Sequence, residues 1–356
     1  MSSDKQSITD SSDVQIRQNV SLKPYNTLGV DAVADQFIAV SKSSDLHVLF
    51  QNKLLNDNII VLGSGSNILF RGRVNQLVLK NEIQFLEIVD ESEKQVIIKS
   101  GGGNNWHELV SACVKNGWGG IENLALIPGT VGAAPIQNIG AYGVELHDRF
   151  ISLEAFNLNS GEIEIYEKAD CRFGYRDSIF KNELKNKLVI LSVTLVLSKP
   201  PHSINGEYQS LKEWLKNNEI HNPTISDIFN GVVEVRTMKL PNPSDLGNAG
   251  SFFKNPVIST SDFAQLQARF LTVPSYPVGR DQVKVPAGWL IEKTGWKGKR
   301  VGNAGTYKNQ ALVIVNHGGA TGEEIWNLAK RIQESVQKKF GIELIPEVNV
   351  IGSPNA

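Results

Sequence analysis

Three glycine-rich segments of this 356-residue chain have the residue types that bind an anion or a large flat ligand. Residues 63–67 (Gly-Ser-Gly-Ser-Asn) allow backbone N–H groups to converge on a negative charge, and the serine hydroxyls add donors. Ile68 stands where a Rossmann fingerprint has its third glycine, and no Lys-Ser or Lys-Thr pair completes a Walker loop. The segment therefore predicts either a phosphate-binding turn or a plain tight turn.

The other two segments are residues 101–103 and residues 127–143. The first is three consecutive glycines directly before a predicted helix, which indicates either an anion site at the helix N-terminus or a flexible strand-to-helix turn. The second contains small residues and two prolines but no charge. Such a stretch suits backbone that lies against a large flat ligand, and a packed irregular linker is the alternative.

Short apolar runs broken by Gly and Asn predict the strands that would position these segments. The clearest runs are residues 36–40, Ile59–Leu62, 77–79, 96–99 and 188–197. A more polar segment follows Pro201 and extends to about Gly231, and residues 342–351 alternate like a strand. These features predict an α+β protein in two parts, with the break between residues 222 and 237.

Helices are predicted at residues 105–115, 261–270, Ala287–Lys293 and Gly322–Phe340, and in the first and last of these apolar side chains recur with helical spacing. Asn105 can cap the first of these, with Glu108 three residues later. Thr321 and Glu324 form a capping box for the last, and Gly341 supplies its end.

Composition and charge exclude several classes of protein. Lys plus Arg number 36 against 37 Asp plus Glu, so the net charge of −1 argues against non-specific nucleic-acid binding. Cys113 and Cys171 have no ligand spacing, which excludes a disulfide scaffold and fits a reducing compartment. The six histidines show no ligand spacing either, so no catalytic metal is expected. Residues 1–20 read as a disordered polar tail without a signal sequence, and the longest apolar run is half a membrane span, so we expect a cytoplasmic protein without membrane insertion.

Five separated motifs, taken together, resemble the UDP-N-acetylenolpyruvoylglucosamine reductase family, also called UDP-N-acetylmuramate dehydrogenase. They are residues 63–67, 127–143, 171–181 (CRFGYRDSIFK), 247–256 (GNAGSFFKNP) and 346–352, and the resemblance runs in order from about residue 21 to 352. It implies a two-part FAD-binding region of the vanillyl-alcohol-oxidase type and a C-terminal α+β substrate-binding domain. The implied divisions are a tail at 1–20, FAD-binding subdomains at 21–85 and 86–230, and a substrate-binding domain at 235–345, with 346–356 returning to the first subdomain.

The resemblance also implies an activity in peptidoglycan precursor synthesis. A hydride passes from NADPH to FAD and on to the enol-ether β-carbon of UDP-N-acetylenolpyruvoylglucosamine, which becomes UDP-N-acetylmuramate. A cofactor makes chemical sense because protein side chains do not carry hydrides. The implied partners are the UDP-sugar and NADPH, and no obligate protein partner is evident.

The family's functional residues map onto this chain position by position. Arg176 would polarise the substrate carboxylate, Ser251 would protonate the α-carbon, and Glu347 would assist at the enolate. The FAD contacts implied are Gly63, Ser64, Gly65, Ser66, Asn67, Gly129, Thr130, Gly132, Ala133, Gln137, Asn138, Gly140, Ala141 and Tyr142. The substrate contacts implied are Tyr208, on a loop expected to close over the diphosphate, and Lys239, Asn255 and Gln310.

Each of these residues also has an ordinary structural interpretation. Arg176 could pair with Asp177, Ser251 could be a turn serine bonded to its own backbone, and Glu347 could be an exposed strand residue. Arg172 is the better candidate for a structural ion pair, and the cluster Lys293, Lys297, Lys299 and Arg300 is most simply a solvated surface. Two other functions remain open: an FAD oxidase that uses oxygen, and a nucleotide-sugar sensor without chemistry.

Overall fold

The computed structural model describes residues 15–55 and 58–352. Its N-terminal elements are β1 (Arg17–Ser21), β2 (Val33–Val40), α1 (Ser43–Gln51), β3 (Ile59–Leu62), β4 (Ile68–Phe70) and β5 (Val74–Asn81). Four of the strands form a sheet in the order β1-β2-β5-β3, in which only β1 is antiparallel to its neighbour. The glycine-rich residues 63–67 therefore lie at the end of the parallel strand β3.

Strand β1 corrects the prediction that residues 1–20 form a disordered tail. Residues 1–14 lie outside the described residues, but Arg17 pairs with Phe37 and Val20 pairs with Ala34 in the β1–β2 ladder. All but one of the five β1 side chains are exposed, so no apolar alternation marks the strand in the sequence. Backbone hydrogen bonds to the edge of a sheet hold such a strand without apolar side chains.

The middle of the chain forms a five-stranded antiparallel sheet with a helix against it. Its elements are β6 (Leu86–Glu91), β7 (Gln95–Gly101), α2 (Trp106–Lys115), β8 (Gly140–Ala141), β9 (Val144–Glu145), β10 (Phe150–Asn157), β11 (Ile163–Glu167) and β12 (Leu188–Ser198). The sheet order is β11-β10-β12-β7-β6, and the central strand β12 is mostly buried. The predicted cap of α2 is confirmed, because the Asn105 side chain accepts a hydrogen bond from the Glu108 N–H at 3.1 Å.

The glycine segments 101–103 and 127–143 pack directly against each other. The Gly132 N–H donates to the Gly102 carbonyl at 2.8 Å, and a Cβ at Gly132 would lie 3.0 Å from that same oxygen. The second segment forms two short 3-10 turns, Val131–Ala133 and Pro135–Gln137, and the two-residue strand β8. Larger side chains at the contact would separate the two backbones, which explains the small residues.

Two helices that the sequence did not predict, α3 (Gln209–Asn217) and α4 (Ile225–Lys239), occupy the polar segment and most of the predicted break between residues 222 and 237. The predicted boundary between residues 230 and 235 falls inside α4. Ile228 and Val232 on this helix are fully buried in the same core as α2, so the helix packs with the middle part of the chain. The division into separate domains itself remains a prediction.

The C-terminal part combines a four-stranded sheet, a three-stranded sheet and three helices. Its elements are β13 (Gly247–Ser251), β14 (Val257–Ser259), α5 (Thr260–Arg269), β15 (Tyr276–Val278), β16 (Gln282–Lys284), α6 (Ala287–Lys293), β17 (Arg300–Val301), β18 (Ala304–Thr306), β19 (Val313–Asn316) and α7 (Gly322–Phe340). The sheets have the orders β13-β19-β18-β17 and β14-β16-β15. The bounds of α6 and α7 match their prediction, and the Thr321–Glu324 capping box and the left-handed Gly341 (φ 72°) are confirmed.

The final strand β20 (Asn349–Ile351) runs back to the N-terminal part and pairs in parallel with β4. The predicted strand over residues 342–351 was therefore too long at its start. Ile342 and Leu344 alternate with exposed residues because they pack on the α7 core, and the Leu344 carbonyl accepts a 2.6 Å hydrogen bond from Gln333 of α7. Within the described ranges, no helix combines the length and apolar character that crossing a bilayer requires.

We expect Gly322→Ala to destabilise the fold, because the start of α7 touches the N-terminal part of the chain. A Cβ at this position would overlap the Phe70 carbonyl oxygen and lie 2.7 Å from the Arg71 Cα. Alanine normally favours a helix over glycine, yet here we expect a loss of about 1–3 kcal/mol from overpacking. Urea unfolding measures the loss, with the exposed Asn327→Ala on the same helix as control; a stabilised Gly322→Ala protein would contradict this contact.

Candidate active site

A cavity of about 1380 Å³ lies between the three parts of the chain, and Arg176, Ser251 and Glu347 all line it. Arg176 comes from the middle part, Ser251 ends β13, and Glu347 precedes β20. The volume exceeds the roughly 300–1,000 Å³ of ordinary small-molecule pockets. The cavity is therefore large enough for more than one ligand.

The glycine-rich turn 63–67 forms one wall of this cavity. The Ser64 hydroxyl is buried there and finds no hydrogen-bond partner among the described residues, whereas the Ser66 hydroxyl donates to the Pro128 carbonyl at 3.1 Å. Gly65 has a φ of 64°, and a Cβ on it would overlap the Tyr25 carbonyl oxygen. A turn free of bulky side chains, with a spare buried donor, fits the diphosphate of a dinucleotide cofactor.

The segment 127–143 forms the adjoining wall, but only part of it faces the cavity. Its lining residues among the predicted cofactor contacts are Gly129, Thr130, Gly132, Ala133, Gln137 and Gly140. Asn138, Ala141 and Tyr142 lie behind this wall. Asn138 is buried with its side chain bonded to Glu145 and to the Gly174 carbonyl, and the Tyr142 ring packs edge-on against Tyr208 with centroids 5.0 Å apart. These three residues position the wall in this structure and do not line the cavity.

Arg176 occupies a left-handed backbone conformation (φ 54°) that non-glycine residues seldom adopt. Its guanidinium donates to the Gly140 carbonyl, on the glycine-rich wall. Within the described part of the chain Arg176 has no ion pair with Asp177, whose carboxylate accepts a 2.9 Å hydrogen bond from Asn182. Arg172 instead forms the predicted structural pair, with Glu183 at 2.7 Å. The charge of Arg176 is thus available to a ligand.

Ser251 and Glu347 are brought together by backbone hydrogen bonds. The Glu347 N–H donates to the carbonyl of Phe252, the residue after Ser251, at 2.8 Å. Within residues 15–55 and 58–352 the Ser251 hydroxyl has no hydrogen-bond partner, so it is not bonded to its own backbone. Gly250, just before it, has a φ of 66° and turns the exposed serine into the cavity.

Burial raises the pKa of Glu347 above its ordinary value, and the nearby cations Arg176, Lys181 and Lys254 oppose this rise. Desolvation of the charged form is the larger of the two effects. Glu347 is therefore not the exposed strand residue of the structural interpretation. A carboxyl group with a raised pKa keeps its proton to a higher pH than an exposed one, which suits it to proton transfer or to donating a hydrogen bond.

The sequence interpretation missed Arg236, which also lines the cavity. Its buried Nε has no hydrogen-bond partner in the part of the chain that the structure describes. Burial lowers the pKa of Arg236, and the neighbouring charge of Arg176 acts in the same direction. Two guanidinium groups in one cavity repel each other and therefore favour an anionic ligand. Arg236 lies in the last turn of α4. Because the sequence did not predict this helix, it did not indicate that Arg236 reaches the site.

The predicted substrate contacts are only partly gathered at the cavity. Asn255 lines it and accepts a 2.9 Å hydrogen bond from the Ala287 N–H at the start of α6. Tyr208, Lys239 and Gln310 do not line it: Tyr208 is half exposed at the start of α3, Lys239 is exposed at the end of α4, and Gln310 bonds the Leu312 N–H. The described residues contain no group of three His, Cys, Asp or Glu side chains that could hold a metal ion.

Two protein-family models match long stretches of the chain. A model of an FAD binding domain matches residues 48–166, and a model of the UDP-N-acetylenolpyruvoylglucosamine reductase C-terminal domain matches residues 242–351. The fold and the cavity thus define an FAD-binding oxidoreductase. The predicted architecture, an FAD-binding region followed by a C-terminal α+β domain, is confirmed, and so is FAD as the cofactor.

Relatives over the whole length give the family. The UDP-N-acetylenolpyruvoylglucosamine reductase of Flavobacterium johnsoniae is 47% identical over 339 residues, 95% of this chain and 100% of the relative. That of Amoebophilus asiaticus is 43% identical over the same shares of both chains. A crystal structure of the enzyme from Thermus caldophilus has the same fold, with a TM-score of 0.67 at 24% identity over 95% of this chain and 100% of that one. The chain belongs to the UDP-N-acetylenolpyruvoylglucosamine reductase family, as its motifs predicted.

Proposed function

We propose that the protein catalyses the NADPH-dependent reduction of UDP-N-acetylenolpyruvoylglucosamine to UDP-N-acetylmuramate. The observation that carries the proposal is the convergence of Arg176, Ser251 and Glu347 on the cavity that the glycine-rich turn also lines. The turn 63–67 and the lining residues of segment 127–143 would hold FAD. When bound, FAD would supply the hydride-transfer chemistry between NADPH and the β-carbon of the enol ether, which side chains cannot supply.

Arg176 stabilises the negative charge that develops on the substrate. Hydride addition at the β-carbon leaves an electron pair on the α-carbon, which is delocalised into the attached carboxylate. A guanidinium is always charged and can bind a carboxylate through two parallel hydrogen bonds. Because Arg176 has no ion pair in the described structure, its full charge can serve the transition state.

Ser251 donates the proton that completes the reduction. Its O–H bond breaks as the new C–H bond forms at the α-carbon, and the serine oxygen regains a proton from solvent. An alcohol is a weak acid, but a carbanion-like carbon is a strong base, so the transfer requires chiefly that the hydroxyl be well placed. The free hydroxyl at the cavity wall supports this role.

Glu347 and the remaining cations complete the substrate site. Protonated Glu347 donates a hydrogen bond to the enolate oxygen, for which its raised pKa suits it. Arg236 and Lys254 attract the anionic parts of the substrate. Asn255 contacts the substrate directly, whereas Tyr208, Lys239 and Gln310 would contact it only after the chain around them closes over the diphosphate.

We expect the substrate itself to reoxidise the reduced protein, and much faster than air does. The measurement is anaerobic stopped-flow mixing of NADPH-reduced protein with UDP-N-acetylenolpyruvoylglucosamine, compared with mixing against aerated buffer. In the same experiment Ser251→Ala should still be reduced by NADPH but should lose about 100-fold or more of its reoxidation rate.

The exposed Ser244→Ala is the control for the Ser251 variant and should behave as the wild type. Faster reoxidation by oxygen than by the substrate would favour an FAD oxidase. A preparation without flavin that binds a UDP-sugar would favour a sensor. Near-normal turnover of Ser251→Ala would remove the serine from the mechanism.

The pH dependence of substrate reduction should report the raised pKa of Glu347. The carboxyl is useful while protonated, so the rate should fall as pH rises through a pKa above the ordinary value of about 4.3 for glutamate. Glu347→Gln should lose about 100-fold in rate and should no longer show this alkaline decrease. Rate–pH profiles measure both effects, with the exposed Glu343→Gln as control; an unchanged alkaline decrease in Glu347→Gln would contradict the assignment.

A further inference from the structure

The conformation of Arg176 needs support from its neighbours. A left-handed backbone at a non-glycine residue is strained and persists only where surrounding contacts hold it. The guanidinium contact with the Gly140 carbonyl fixes the tip of the side chain. Gly174 and Asp177 exchange two backbone hydrogen bonds on either side of Arg176, and a further restraint on the backbone comes from the short turn Ile179–Lys181.

Lys181 provides that restraint. Its ammonium donates to the Arg176 carbonyl at 2.9 Å and lies 3.4 Å from the Gln137 side-chain oxygen. Lys181 is part-buried. Burial lowers its pKa, because taking the ammonium group out of water makes the charged form less stable. Within the described ranges it has no ion-pair partner, so the side chain is held by these two polar contacts.

The same contacts continue across the cavity to Glu347. The Gln137 oxygen also accepts from the Asn67 amide at 3.5 Å, and that amide lies 3.3 Å from the Glu347 carbonyl oxygen. A continuous polar chain therefore runs from Arg176 through Lys181, Gln137 and Asn67 to Glu347. This chain links the backbone of Arg176 to the backbone of Glu347, and the proposed function requires the side chains of both residues to contact the same small part of the substrate.

We propose that Lys181 is a positioning residue that fixes Arg176 and, through Gln137 and Asn67, its place relative to Glu347. The proposal rests on the proposed function. Lys181 acts through Arg176 and not by touching the reacting atoms. Its loss should therefore impair transfer to the substrate while leaving reduction by NADPH intact.

The test is a double-mutant cycle on the two half-reactions. Lys181→Met should slow reoxidation by UDP-N-acetylenolpyruvoylglucosamine about 10-fold to 100-fold, because a displacement of about 1 Å can cost this much. Reduction by NADPH should stay near the wild-type rate. In an Arg176→Ala background the same substitution should cost less than about 3-fold, because its route of action has been removed.

Lys254→Met is the matched comparison for charge alone. Lys254 lines the cavity and lies near Glu347, but its side chain bonds nothing in the described structure. Removing either cation should raise the pKa of Glu347 and move the alkaline decrease in rate to higher pH. Because Lys254 also attracts the substrate, Lys254→Met should raise the substrate concentration needed for half-maximal reoxidation, whereas only Lys181→Met should lower the rate at saturating substrate below that decrease.

Three results would overturn the proposal: a loss under about 3-fold in Lys181→Met, an equal loss in both half-reactions, or an undiminished loss in the Arg176→Ala background. If Lys181→Met does not fold, the same cycle and criteria apply to Lys181→Gln, which keeps a polar group without the charge. A wild-type protein that the substrate does not reoxidise would instead overturn the proposed function, so the two failures are distinguishable.

Discussion

The site depends on an excess of positive charge around one buried carboxyl group. Four cations line the cavity with Glu347: Arg176, Lys181, Arg236 and Lys254. Burial lowers the pKa of Lys181 and Arg236 and raises the pKa of Glu347, so it disfavours the charged form of each. Charges taken out of water without partners cost free energy, which an anionic ligand can offset. A substrate with a carboxylate and a diphosphate has the negative charge that offsets this cost. The additional negative charge of its enolate-like transition state offsets it further.

The fold makes this arrangement by bringing distant segments of chain to one place. Strand β20 pairs with β4 beside the glycine-rich turn, and the Glu347 N–H bonds the Phe252 carbonyl next to Ser251. Segment 127–143 packs on residues 101–103, and this packing positions the Gly140 carbonyl, which accepts a hydrogen bond from the Arg176 guanidinium. All of these contacts except that of Arg176 join backbone to backbone, so the path of the backbone largely fixes where the side chains lie.

Short-range sequence signals, such as helix caps, correctly predicted the helices in which they occur. The α2 and α7 helices have polar caps, Asn105 and Thr321, followed by apolar residues at helical spacing, and both lie where predicted. The helix α4 has an equivalent capping box, Thr224 with Asp227, which a search for caps within the polar segment would have found. Strand β1 had no such signal, because its exposed side chains do not indicate a partner strand whose paired residues lie 12 to 20 positions further along the chain.

The site itself could not be derived from spacing. Arg176, Ser251 and Glu347 are separated by long stretches of sequence, and only the resemblance to a family grouped them before the structure placed them on one cavity. Asn138 and Tyr142 share a motif with cavity-lining residues but face away, because an irregular backbone has no fixed period from which a side chain's direction can be inferred. Arg236 became visible only through its buried Nε, which has no partner in the described residues, and Lys181 only through its hydrogen bond to the Arg176 carbonyl.

The most direct test of the charged cavity is the rate of substrate-driven flavin reoxidation in Arg176→Lys, measured by anaerobic stopped flow. Lysine keeps the positive charge but not the planar pair of donors, so we predict a loss of about 10²- to 10³-fold in this rate with NADPH-driven reduction unaffected. A rate close to that of the wild type would show that Arg176 does not bind the developing carboxylate charge, and would contradict the central role given to it.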